Sequence, residues 1–211
     1  MSNETIIGVL LAGGQSRRMG GGDKCLLELG GQSMLQRAMD RLGGQVSGLI
    51  LNANGEPERF AEFGLPVVAD PVEGFAGPLA GVLAGLRWAA DNRPGARWIV
   101  TAATDTPFFP ADLVTRLQAG VGDTYPAIGL ATFQDRPQPV FGLWPTALAD
   151  DLEQALKEGT RKVLEWTDRH ASTYVDFPAL PTGGSQIDPF FNANRPEDMA
   201  EAEQLIAAES P

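Results

Sequence analysis

Residues 6–24 read IIGVLLAGGQSRRMGGGDK, and the reading of this stretch decides the fold. Ile6 to Leu11 form a short apolar run that predicts a buried strand. At Ala12 the run gives way to a segment holding five glycines, Gly13, Gly14, Gly20, Gly21 and Gly22. The same segment carries Arg17, Arg18 and Lys24, although the chain as a whole has a formal net charge of -11. Glycines admit positive φ and let main-chain amides come close to a ligand. Successive N–H groups can then form an anion nest, to which Arg18 and Lys24 add full charges. A glycine loop leaving the carboxyl end of a strand is where open α/β sheets hold ligands. A nucleoside triphosphate has the charge to use such a loop. The plain alternative is a solvated connection between strand and helix; three cations of the minority sign favour the ligand. Neither familiar phosphate loop is present: Lys24 lies between Asp23 and Cys25, which breaks G-x-x-x-x-G-K-[ST], and G-x-G-x-x-G does not occur.

Outward from that loop, apolar runs alternate with amphipathic ones. MLQRAMDRL (34–42) predicts a helix with Leu35, Ala38 and Leu42 on one face. SGLILNAN predicts a strand ending at Asn52 to Asn54, EPERFAEF a short helix, and LPVVAD a short strand ending at Asp70. GPLAGVLAGLRWAADN predicts a largely buried helix, ARWIVTAATD a strand running into Asp105, and PADLVTRLQAG a helix from Pro110 to Gly120. Such alternation argues for a mostly parallel sheet with helices on both faces. Beyond residue 124 the pattern changes. YPAIGLATF and QPVFGLWP predict two strands that could pair antiparallel. ALADDLEQALKEG predicts an amphipathic helix and STYVDF a late strand. TGGSQ (182–186) reads as a loop, and Pro196 to Ala208 as a final helix capped by Asn194.

Composition bounds the function. At 211 residues, 43% hydrophobic and 20% charged, the chain has enough apolar content for one sizeable core. The acidic balance argues against a nucleic-acid surface, which needs a basic face. No apolar run is long enough for a membrane span. The start, MSNETIIGVLLAGG, lacks the basic flank of a signal peptide, and Cys25 is the only cysteine, so a cytoplasmic location is expected. Carboxylates at strand ends supply a second signal. Asp70 and Asp105 fall at the same sheet edge as the glycine loop, where one or two carboxylates suit the Mg²⁺ that accompanies a triphosphate. For Asp70, before Pro71, a turn role competes strongly. His170, in WTDRHAS, lies outside every such stretch, and Trp88, Trp98, Trp144 and Trp166 read as packing.

LAGGQSRRMGGGDK strongly resembles the signature L-A-G-G-x-S-x-R-M-G-x-D-K of the molybdenum cofactor guanylyltransferases, in which a small insertion before D-K is tolerated. NAN (52–54), VVAD (67–70), GPLAG (77–81), TDTPF (104–108) and FNANRPED (191–198) follow in that family's order, so the resemblance spans nearly the whole chain. It implies a Rossmann-like nucleotidyltransferase fold as one domain over 1–211, with GTP bound by the N-terminal half and molybdopterin by the C-terminal half. It implies transfer of GMP from GTP to molybdenum-carrying molybdopterin with release of pyrophosphate. By that resemblance Leu11, Ala12, Gly13, Gly14, Lys24, Asn52, Asp70 and Asp105 bind GTP. Asp105 holds Mg²⁺, and Lys24 and Arg18 act with it in catalysis. Asn192 and Asn194 carry over to the metal and pterin side. Arg161 and Lys162, in EGTRKV, are candidates for the pterin phosphate on charge alone, against a solvated helix end. Apo-molybdoenzymes and other cofactor-biosynthesis proteins are implied as transient partners. Cytidylyltransferases usually show L-A-A-G, and sugar nucleotidyltransferases G-G-x-G-T-R-L; neither occurs here. A third reading is a regulatory module that keeps the fold without turnover. One departure from the family is Gln138–Pro139, where His-Pro is frequent.

Overall fold

The computed structural model describes residues 5–12, 23–71, 77–182 and 185–209. In chain order these form β1 (Ile6–Leu11), β2 (Glu28–Leu29), β3 (Gln32–Ser33), α1 (Met34–Gly43), β4 (Gly48–Asn52), β5 (Val67–Val68), α2 (Pro78–Asn92), β6 (Trp98–Ala103), α3 (Leu113–Val121), β7 (Ile128–Phe133), β8 (Arg136–Pro145), α4 (Ala149–Lys157), α5 (Val163–Thr167), β9 (Ser172–Asp176), β10 (Leu180–Thr182), β11 (Ser185–Ile187) and α6 (Pro196–Glu209). Seven strands make one sheet in the order β5-β4-β1-β6-β8-β7-β9. Parallel pairing joins β5 to β4, β4 to β1, β1 to β6, and β7 to β9. Only β8 runs against the rest, antiparallel to both β6 and β7. The two strands beyond residue 124 that could pair antiparallel do so, as β7 and β8 within the main sheet.

Every residue of β1, β6 and β7 is buried, which explains why they read as continuous apolar runs without alternation. Ile6 and Leu10 of β1 point to the face covered by Leu35, Ala38 and Leu42 of α1 and Leu113, Val114 and Leu117 of α3. Ile7, Val9 and Leu11 point to the other face, under α2, α4 and α5. Each fully buried aliphatic side chain here contributes about 1.5–3 kcal/mol. A smaller cluster, built from Leu29, Met34, Phe108, Ala193 and Ala202, fastens the β2–β3 hairpin and α6 to the loop after β6.

Local chemistry sets the element ends. The Ser33 hydroxyl accepts from the Gln36 N–H and caps α1. Residues Pro57–Phe63, expected as a helix, form a 3-10 turn closed by Gly64 at φ 64°. α3 begins at Leu113, after a turn in which Leu113 N donates to the Pro110 carbonyl. Residues 180–187 form a two-stranded hairpin in place of the expected loop, with Gly183 and Gly184 outside the described residues. α6 is capped by Asp198, whose Oδ2 accepts from the backbone N–H of Asn194 and Arg195 at 2.8 Å each. An acidic residue in the first turn reaching back to the entry amides is one half of a capping box, and it relieves Asn194 of the expected cap role.

α2 lies close to the sheet because Gly81 and Gly85 face it. A Cβ at Gly85 would stand 2.6 Å from Val9 Cγ2 and 2.9 Å from Ile99 Cδ1, both on fully buried residues. Gly85→Ala gains up to about 1 kcal/mol of helix propensity but overpacks the core by about 1–3 kcal/mol. The expected net is a loss, seen as a lower denaturant midpoint at unchanged m-value; a raised midpoint would contradict this packing. Cys25, in the 3-10 turn Lys24–Leu26, is 3% exposed, and burial, reinforced by the charge of Asp23, pushes its thiol up to about 12. Roughly one thiol in ten thousand is then ionised at pH 8. The native protein should leave Cys25 unmodified by a thiol reagent at that pH, with full modification appearing only in denaturant.

Candidate functional site

The strand order reverses direction at β1. From β1 the chain steps to β4 and β5 on one side, then crosses by α2 to β6 on the other. Ligands of open α/β sheets bind outside the carboxyl ends of strands at such a reversal. Here those ends are tied together. Ala12 N donates to the Asn52 carbonyl at 3.0 Å, and Thr104 gives both its N–H and its hydroxyl to the Leu11 carbonyl at 3.2 and 3.1 Å. Leu11, Ala12, Asn52 and the Thr104–Asp105 turn thus form one rim.

Lys24 reaches this rim from the 3-10 turn after the glycine segment. Its ammonium donates to Asp105 Oδ2 at 3.0 Å and to Asn194 Oδ1, joining positions 81 and 170 residues away. The lysine side chain is 12% exposed and the aspartate 32%, so the pair sits at the mouth of the crevice and not in the core. The segment carrying Asn194 is docked by main-chain and side-chain bonds. Ala193 N donates to the Asp105 carbonyl at 2.9 Å, and the Thr106 hydroxyl donates to Asn192 Oδ1 at 2.8 Å. Buried Ala193 and Phe108 pack beneath. One ammonium, one carboxylate and two amide side chains therefore converge from three distant segments.

A second polar group lies along the same edge, beyond β4. Asn52 is 5% exposed, and its amide nitrogen donates to the Val68 carbonyl at 3.1 Å and to Asp70 Oδ1 at 3.0 Å. Asn54 gives its amide to Asp70 Oδ2 at 2.7 Å and takes the Asp70 backbone N–H at 2.8 Å. Both carboxylate oxygens are thereby oriented. Gly81 of α2 is bare for this reason: a Cβ there would stand 2.4 Å from Asn52 Oδ1.

Of the sequence candidates, Leu11, Ala12, Lys24, Asn52, Asp70, Asp105, Asn192 and Asn194 gather at this edge. Gly13, Gly14 and Arg18 lie outside the described residues. Arg161 donates to the carbonyls of Leu156 and Thr160 in the turn between α4 and α5, and Lys162 precedes α5. His170 is set against Asp151 at 3.0 Å and the edge of Trp166. Gln138 lies on β8 beside the bulge where the β7–β8 register shifts. Sequence reasoning passed over Asn54, Thr106, Asp23 and Arg59. The first two stood inside the quoted NAN and TDTPF stretches. Arg59 gave no signal, lying in an ordinary amphipathic run.

Comparison with known proteins gives the family. Residues 8–173 match the family model of the MobA-like NTP transferase domain. The chain is 52% identical over 203 residues to the molybdenum cofactor guanylyltransferase of Rhodopseudomonas palustris (strain BisB5), covering 96% of this chain and 94% of that one. It is 52% identical over 202 residues to the enzyme of the same name from Mesorhizobium japonicum, covering 95% and 96%. In fold it resembles molybdopterin-guanine dinucleotide biosynthesis protein A from Archaeoglobus fulgidus, with TM-score 0.74 at 21% identity over 95% of this chain and 98% of the other. The rim of strand ends, the lysine that meets it and this extent of likeness lead to one conclusion: the chain belongs to the MobA-like NTP transferase family, among the molybdenum cofactor guanylyltransferases.

Proposed function

We propose that this protein transfers the GMP moiety of GTP to molybdenum-carrying molybdopterin, forming the guanine dinucleotide and releasing pyrophosphate. The observation that carries this reading is the convergence of Lys24, Asp105 and Asn194 at the point where the strand order reverses. In it the chain works as one nucleotidyltransferase domain. GTP lies along Leu11, Ala12, Gly13, Gly14 and Lys24, with Asn52 and Asp70 further along the edge. Molybdopterin approaches from the side of Asn192 and Asn194. A cytoplasmic location and transient contact with apo-molybdoenzymes belong to the same reading. Among the described residues no helix is long and apolar enough to cross a membrane.

The terminal phosphate of molybdopterin is already ionised at neutral pH, so the attack needs no protein base. That fits a site edge without histidine, since His170 is engaged with Asp151. The protein's task is to align two polyanions and to hold the charge that gathers on the departing pyrophosphate. Two of the three N–H bonds of Lys24 are taken by described residues, which fixes its ammonium and aims it. Arg18 is assigned to the remaining phosphate charge. The oxygen donors at the rim suit Mg²⁺, which is held by one or two carboxylates together with substrate phosphates. Asp105 has a second carboxylate oxygen that Lys24 does not use, and Asn192 and Asn194 bring amide groups to the same edge. When bound, the ion would neutralise phosphate oxygens and favour departure of pyrophosphate.

Lys24→Ala and Asp105→Ala should each lower GTP-dependent pyrophosphate release at least about a thousandfold while the melting temperature stays within a few degrees, because the pair lies at a partly exposed rim. Turnover near that of the parent in either variant would remove these residues from the chemistry. Offered each of the four nucleoside triphosphates with Mg²⁺ and molybdenum-carrying molybdopterin, the protein should release pyrophosphate from GTP. Consumption of CTP would assign it to cytidylyl transfer, and tight GTP binding without release would make it a regulatory module.

A further inference from the structure

Arg59 lies in the 3-10 turn between β4 and β5, and its guanidinium touches the neighbour of Lys24 on one side and the Asn54 that orients Asp70 on the other. Nη2 donates to the Asn54 carbonyl at 2.5 Å and Nη1 to the Glu56 carbonyl at 2.7 Å. Nε stands 2.5 Å from Asp23 Oδ2, an ion pair in which Nε makes no hydrogen bond. The plane of the group rests on Phe60, 4.5 Å from the ring centroid, and Phe60 is 1% exposed. The backbone is shaped for this group. Gly55 has φ +91°, and a Cβ there would stand 2.9 Å from Arg59 Nη1.

The two ends of this clamp are informative. Asp23 opens the 3-10 turn whose next residue is Lys24, and its carbonyl accepts from Leu26 N at 3.0 Å. Asn54 is the residue whose side chain orients Asp70. A single planar cation thus ties the turn that presents Lys24 to the loop that holds Asp70. Arg59 is 30% exposed and Asp23 28%, so solvent screens the pair, and its worth lies in geometry more than in global stability. Lysine is a poor substitute: an ammonium lacks the flat fork that spans separated oxygens while lying on a ring.

We propose that Arg59 is a positioning residue for the nucleotide, setting the distance between Lys24 and Asp70 through Asp23 and Asn54. This rests on the GTP site proposed above. A triphosphate nucleotide engages both residues only if their separation suits it, and small errors of placement in such sites cost large factors.

The test is a double-mutant cycle on the full chain, with Mg²⁺·GTP affinity measured by calorimetry and melting temperature measured alongside. Arg59→Gln and Asp23→Asn should each weaken GTP binding about tenfold, Arg59→Lys should fail to restore it, and the double variant should be no weaker than the worse single one. Melting temperatures should stay within a few degrees. If Arg59→Gln disturbs the packing on Phe60, Asp23→Asn and Arg59→Lys still report, because both preserve the bulk of the side chain. Additive losses, or parental GTP affinity in Arg59→Gln or Asp23→Asn, overturn the proposal and leave the GTP site standing. Parental affinity in Lys24→Ala, run in the same series, overturns the GTP site itself and this inference with it.

Discussion

An ammonium and a carboxylate from distant parts of the chain meet 3.0 Å apart where the sheet ends, and much of the molecule is arranged so that they can. Lys24 arrives on a short turn pinned by Asp23 and Arg59. Asp105 sits two residues past β6, whose register against β1 puts Leu11 opposite Ala103. Asn194 completes the group because α6 draws its cap from Asp198 and leaves that amide side chain for the lysine. A partly exposed ion pair contributes little to stability in water. Its value is that each member holds the other in place before any substrate arrives, which is what a site working by fixed charges requires.

The sheet that supports this pair depends on close approach. α2 is apolar through most of its length because it is packed between the strands and α4, and its glycines at 81 and 85 remove the side chains that would hold it off. At Gly81 the neighbour is Asn52, which in turn orients Asp70. Packing of a helix and orientation of a polar side chain are here one requirement. A substitution made for helix propensity alone would be felt at the rim.

The parallel half was legible because β1 and β6 are buried on both faces and α1 carries a clear apolar stripe. Ile6–Leu11 is an unbroken run without polar residues, and Trp98–Ala103 is interrupted only by Thr101. Asn194 is instructive in the other direction. As a short polar residue before Pro196 it had the local credentials of a cap, and only the placement of Asp198 and Lys24 in space gives it different partners. Residues 57–63 carried a helical pattern, yet the segment winds as a 3-10 turn around Phe60 and Arg59. The clamp formed by Arg59 was invisible because its two hydrogen bonds go to main-chain carbonyls and its charged partner, Asp23, lies 36 residues away in the sequence. Lys24, Asp70 and Asp105 stood out in the sequence for the opposite reason: each is a charged group at the end of an apolar strand or beside a run of glycines, whereas Asn52 came from the family resemblance alone.

The one reversed strand has a consequence for the nascent chain. β8 fills the gap between β6 and β7, so the first four sheet members, β5, β4, β1 and β6, leave the hydrogen-bonding groups along one side of β6 open until residues 136–145 are made. An open edge on a strand as apolar as Trp98–Ala103 invites pairing with another copy. Segment 136–145, some thirty residues further along the chain, closes that border when it pairs antiparallel with β6.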